Sequence, residues 1–148
     1  MAFIPWDGEG QVFRIGSDTM LFLGAFKGIV YVRKSSGELD EGFVHCPVTQ
    51  KIDLQTQATS GSGYCMITVT ESETVYAEWT CEGAVRGCLG DFNITGGTGE
   101  LEGIAGSSRL LVRSPMRALI ADMADGSVLR VASGIAILPE LQYQLPKK

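Results

Sequence analysis

A single histidine, His45, serves this chain of 148 residues, and that scarcity narrows the chemistry open to it. A Ser–His or Cys–His couple would need this ring, yet its neighbour Cys46 leaves a strand on the opposite face and cannot meet it. His45 is therefore read as a satisfied structural residue. Basic residues are also few: 12 Lys and Arg stand against 17 Asp and Glu, for a net charge of −5. No cluster of them matches a run of phosphates, so no nucleic-acid partner is expected. The longest nearly apolar run, 20–32, is broken by Lys27 and is too short to cross a bilayer of about 30 Å as a helix. No cysteine pair has the C-x₂₋₄-C spacing of a zinc site, since the closest, Cys81 and Cys88, encloses six residues. No metal and no cofactor are expected. The opening "MAFIPWDGEG" lacks the basic start and apolar core of a signal peptide. The expectation is a cytoplasmic chain, or a periplasmic or secreted one whose leader has been removed.

What the sequence does hold is β-structure. Runs rich in Val, Ile, Thr, Phe and Tyr cover 11–15, 20–33, 42–54, 63–70, 74–81, 88–95, 107–113 and 127–138, separated by Gly, Ser, Asp and Pro. "SSGELDEG", "TSGSG", "ESE" and "ADGS" read as turns. The segment 116–123 has helical caps in Ser114, Pro115 and Gly126, but Asp125-Gly126 is also a hairpin turn, and the strand reading is preferred. With no linker, repeat or low-complexity tract, residues 1–148 read as one domain.

Several strands are apolar on both faces. In "MLFLGAFKGIVYV", Met20, Phe22 and Phe26 share one face while Leu21, Leu23, Ile29 and Tyr31 share the other. Antiparallel sheets with one wet face alternate instead. A single antiparallel closed barrel of about eight strands, with a filled interior and a subunit contact outside, accounts for this better than a two-sheet sandwich. A homo-oligomer, dimer or trimer, follows from the same two-sided pattern.

The segment "GDFNITGGTGELEGIAGSS" packs six glycines into nineteen residues, 90–108. Gly97, Gly99 and Gly103 are spaced G-x-G-x-x-x-G, which is not the dinucleotide fingerprint, and no Lys-Ser/Thr pair follows to make a P-loop. The glycines suit bulges and corners, and Gly97 and Gly99 are expected to take backbone angles that a side chain would resist. Asn93-Ile94-Thr95 matches a glycosylation acceptor, a tripeptide common by chance.

"FNITGGTGELEGIAGS" resembles the signature segment of the allene oxide cyclase and dirigent-protein barrels and of their bacterial barrel-like relatives. "YAEWTCEG", "GCLGDF" and "GIAILPELQYQLP" extend the likeness, in the same order, to roughly a third of the chain. The resemblance implies an eight-stranded antiparallel barrel around an apolar cavity for a lipid- or phenol-derived ligand. It also implies assembly as trimers or dimers, and catalysis that rests mainly on holding a reactive ligand in one folded shape. It carries over no catalytic carboxylate to any residue here.

Four cysteines, at 46, 65, 81 and 88, allow two disulfides in three pairings. Cys81 ends one strand and Cys88 opens the next, and Cys46 and Cys65 lie on the arms flanking "TSGSG". The expected bridges are Cys81–Cys88 and Cys46–Cys65, which would imply an oxidising compartment. Four buried thiols in a reducing one are the alternative.

"TVYAEWT" alternates Thr74, Tyr76, Glu78 and Thr80 against Val75, Ala77 and Trp79. Turned inward, Glu78 beside Tyr76 would be a desolvated carboxylate fit to move a proton. Turned outward it is merely solvated, and Trp79 becomes a cavity wall. The candidate ligand-binding residues are Phe22, Phe26, Tyr76, Trp79 and Phe92, with Glu78 as the one catalytic candidate. The expected function is binding of a small, largely apolar molecule in the barrel interior, with isomerase or cyclase activity left open. The rival expectation is an exported barrel whose work is protein contact.

Overall fold

A computed structural model describes residues 1–37, 39–84, 87–114 and 129–145, with backbone alone for 129–132. Segment 116–123 lies outside the described residues. The chain runs β1 (Ala2–Arg14), β2 (Thr19–Arg33), β3 (Leu39–Asp53), β4 (Ala58–Thr70), β5 (Glu73–Ala84), β6 (Gly87–Gly97), a short 3₁₀ turn (Gly99–Leu101), β7 (Ala105–Arg113), β8 (Leu129–Leu138) and β9 (Gln142–Gln144). Strands β1 to β8 pair in sequence order, all antiparallel, and β8 returns to β1, closing an eight-stranded barrel. β9 lies beyond it, on β7 at Ala105–Ser107.

One parity on each strand points inward and is buried: Ile4 and Trp6 on β1, Met20 and Phe22 on β2, Val44 and Cys46 on β3, Val75 and Ala77 on β5. The interior of so small a barrel has room for few large rings, and the sequence meets this by setting glycine across from three of them. Trp6 faces Gly28 on one side and Gly134 on the other, Phe26 faces Gly8, and Trp79 faces Gly63. A Cβ at Gly8 would stand 2.6 Å from the Phe26 ring, and one at Gly134 would stand 2.5 Å from the Trp6 indole. Phe22 lies over Gly10 and Gly24 in the same way, a Cβ on Gly24 falling 2.5 Å from its ring.

This packing explains two departures from the sequence reading. The first expected strand run begins at residue 11, but β1 already runs from Ala2, because Gly8 and Gly10 are the seats of Phe26 and Phe22 and not turn formers. "TSGSG" is likewise strand β4, with Gly61 and Gly63 beneath Trp79. The turn comes earlier, where the Asp53 carboxylate accepts the N–H groups of Gln55 (2.8 Å) and Thr56 (3.2 Å) and Gln57 takes a positive φ of 62°.

Both expected disulfides are present: Cys46–Cys65 joins β3 to β4 with Cα atoms 4.1 Å apart, and Cys81–Cys88 joins β5 to β6 at 5.5 Å. His45, expected to be a satisfied structural residue, is instead exposed on the outer face, because its neighbour Cys46 takes the inward position.

Two alanine substitutions separate the glycine seats from the other glycines. Gly24→Ala sets a Cβ against the Glu9 carbonyl, the Phe22 ring and Gly10, and should cost about 1–3 kcal/mol by overpacking. Gly96→Ala meets nothing within 4 Å and should stay within about 0.5 kcal/mol of the parent. Denaturant midpoints that move equally for both would contradict this account.

Candidate functional site

The barrel is filled unevenly along its axis. One end is closed by Met20, Phe22, Ile52 and Cys81, all fully buried. Above them Phe26 stacks on Trp6 with ring centroids 4.4 Å apart and neighbours Phe22 at 6.2 Å and Trp79 at 6.4 Å. These near-parallel rings form a plug across the middle, worth about 0.5–1.5 kcal/mol per pair beyond simple burial.

Beyond the plug the interior opens into a chamber of about 350 Å³ at the other end. Its walls come from strand ends: Val30 and Val32 of β2, Ile67 of β4, Val75 of β5, and Phe92 and Ile94 of β6. Leu138 closes one side, and Leu141, Tyr143 and Leu145 of the C-terminal segment extend it outward. The rim carries Lys34, Asp40 and Glu41, with Lys34 and Asp40 paired at 2.9 Å. Both partners of that pair are well exposed, so it orders the rim more than it stabilises the fold. A smaller hollow of about 40 Å³ lies between Trp6, Phe26, Trp79 and Phe92, and shares Ile4 and Phe92 with the chamber. The buried Trp6 Nε1 has no hydrogen-bond acceptor among the described residues.

The glycine-rich segment completes the chamber instead of gripping a phosphate. After β6 the chain turns at Gly99, whose φ is +62°, and at Gly103, whose φ is +92°, and so lays Leu101 and Ile104 over the opening. Gly97 does not take a positive φ; there a Cβ would stand 2.6 Å from the Leu101 carbonyl oxygen, so space and not backbone angle requires glycine. Thr98 pins the turn to the β4–β5 hairpin: its hydroxyl accepts the Thr74 N–H (2.9 Å) and donates to the Ser72 carbonyl (3.2 Å).

Phe22, Phe26, Trp79 and Phe92 all face inward, as expected from parity. Of these only Phe92 lines the chamber; Phe22, Phe26 and Trp79 are spent in closing the barrel. Tyr76 and Glu78 face outward, Tyr76 being 42% exposed, because Val75, Ala77 and Trp79 take the inward parity of β5. Neither can touch an interior ligand, and Glu78 is removed as a catalyst there. The aliphatic walls escaped the sequence reading, although the alternation in "IVYV" and "CMITV" marks Val30, Val32 and Ile67 as inward. Among the described residues, no three or more His, Cys, Asp or Glu side chains gather as a metal site, and no helix is long and apolar enough to cross a membrane. No protein-family model, curated protein or solved structure matches the chain.

Thr98→Ala should loosen this cover. Loss of both side-chain bonds should cost about 1–2 kcal/mol, and amide exchange should quicken over 97–104 while the β2–β3 amides keep their protection. Unchanged exchange across the turn would show that Thr98 does not hold it.

Proposed function

We propose that this protein binds one small, largely apolar molecule in the chamber at the barrel mouth. The observation that carries the reading is the chamber itself: about 350 Å³, walled by aliphatic side chains and closed below by the aromatic plug. Its volume falls in the range of small-molecule sites, and its few polar groups sit at the rim, where a ligand's polar end would lie. Membership of the allene oxide cyclase and dirigent barrel superfamily belongs to the same proposal and is supported by the eight-stranded closure. Below the rim the described wall residues include no Asp, Glu, His, Lys or Arg. An isomerase or cyclase built this way would act by holding its ligand in a reactive shape, not by acid–base transfer. Disulfides that staple neighbouring strands support export to an oxidising compartment.

A second feature favours assembly with another copy of this chain. Leu89, Leu111, Ile137, Phe3 and Tyr31 face one another in sequence across five adjacent strands on the outer surface. Phe3 stacks on Tyr31 at 5.3 Å, and Leu89 at the end of the row is 55% exposed. No described element covers this row, and a two-fold or three-fold contact would bury it.

Fatty-acid and phenolic probes titrated against the fluorescence of Trp6 and Trp79, which lie directly below the chamber, should bind saturably. Filling the chamber with Ile94→Trp or Val75→Phe should weaken binding at least tenfold. Binding that survives both fillings would place the site elsewhere, and an absence of binding by every probe would leave protein contact as the function. Sedimentation at micromolar concentration should find a dimer or trimer, which Phe3→Glu converts to monomer; a 15.9 kDa species alone for the parent would refute assembly.

A further inference from the structure

The outer face of β4, β5 and β6 carries a second concavity that the chamber does not use. Tyr64, Glu78 and Asn93 stand directly across from one another on these three strands, and Ser62 faces Thr80 in the next row. Together they line a depression of about 240 Å³, and all five are exposed. Tyr64 is 66% exposed and stacks on no other ring among the described residues. The side chains of Glu78 and Asn93 make no hydrogen bond or ion pair among the described residues, so their bonding capacity faces solvent. Ser62 shares a bond with Thr49 at 3.5 Å.

The chemistry of the depression selects its ligand class. It contains no Lys or Arg, and the chain carries a net charge of −5, which disfavours phosphate, sulfate or carboxylate. Its lining is mostly hydrogen-bonding groups, which disfavours a lipid tail. What fits is a neutral molecule with one apolar face and an edge of hydroxyls. A pyranose has both: its C–H face lies on an aromatic ring, and its hydroxyls donate to a carboxylate and exchange bonds with an amide and two side-chain hydroxyls. Tyr64 and Asn93 are two strand spacings apart, about 9.5 Å, a breadth suited to one sugar ring with its substituents. Tyr76, on the diagonal from Tyr64 and 42% exposed, offers a second ring about 7–8 Å away for the next unit of a chain.

From this juxtaposition we infer that the β4–β6 face is a carbohydrate site, taking a neutral pyranose or the end of a glycan between Tyr64 and Asn93, with Glu78 as the central acceptor. The site lies outside the barrel wall and is independent of the chamber.

The test is an NMR titration of the full chain with the methyl glycosides of glucose, galactose, mannose and N-acetylglucosamine, and with cello- and chito-oligosaccharides. At least one should bind saturably, with amide shifts centred on residues 62–64, 78–80 and 93. Tyr64→Ala and Glu78→Gln should each weaken it tenfold or more. Both side chains are exposed, so thermal midpoints should not move, and the chamber-filling Val75→Phe should leave sugar binding intact. The proposal is overturned if no glycan saturates, if shifts gather elsewhere, or if choline binds in place of every sugar. It is also overturned if Tyr64→Ala changes the sedimentation of the protein, because the face would then be a contact between copies.

Discussion

Everything in this barrel depends on how large rings are seated in a narrow space. An interior closed by eight strands is only about wide enough for side chains to fill it, and Trp6, Phe22, Phe26 and Trp79 together exceed that room unless the facing strands give way. They give way at glycine: Gly28 and Gly134 beside Trp6, Gly8 beside Phe26, Gly63 beside Trp79, and Gly10 and Gly24 beneath Phe22. Glycine in a strand costs conformational entropy and packs nothing itself, so these positions make sense only as partners of the rings.

The plug divides the barrel into two parts with different roles. Below it, Met20, Ile52 and Cys81 form a fully buried core. Above it most inward positions hold Val, Ile or Leu, with Phe92 the one ring, and the space between them remains open. Stability and cavity thus come from one arrangement, with bulk gathered at mid-height and withheld at the mouth. The disulfides lie on the same side of that division as the plug, Cys46 and Cys65 bordering the small hollow beside Trp79. They join β3 to β4 and β5 to β6.

Much of the architecture was legible in the sequence because parity is a local property. The two-sided apolar pattern of 20–33 announced a closed barrel, and the alternation of "TVYAEWT" left Trp79 and Glu78 on opposite faces whichever way they turned. The Cys81–Cys88 pair followed from strand ends, and Cys46–Cys65 from the two arms of one hairpin. The glycines were the main source of error: "TSGSG" reads as a turn, because a glycine that seats a ring and one that bends the chain look alike until the partner strand is known. The aromatics likewise read as walls of a ligand site. Which of several inward rings fills and which lines depends on the register between strands, a non-local fact, and only Phe92 proved to border the chamber.

The central claim is that the open part of the interior lies at one end, above the aromatic plug. Methyl-resolved NMR of the protein titrated with a bound fatty-acid or phenolic probe tests it most directly. The account predicts shifts of the methyl groups of Val75, Ile94, Leu101, Ile104 and Leu138, with Ile52 and Met20 unmoved. Shifts led by Ile52 and Met20, or by the outward-facing Leu89 and Leu111, would contradict it.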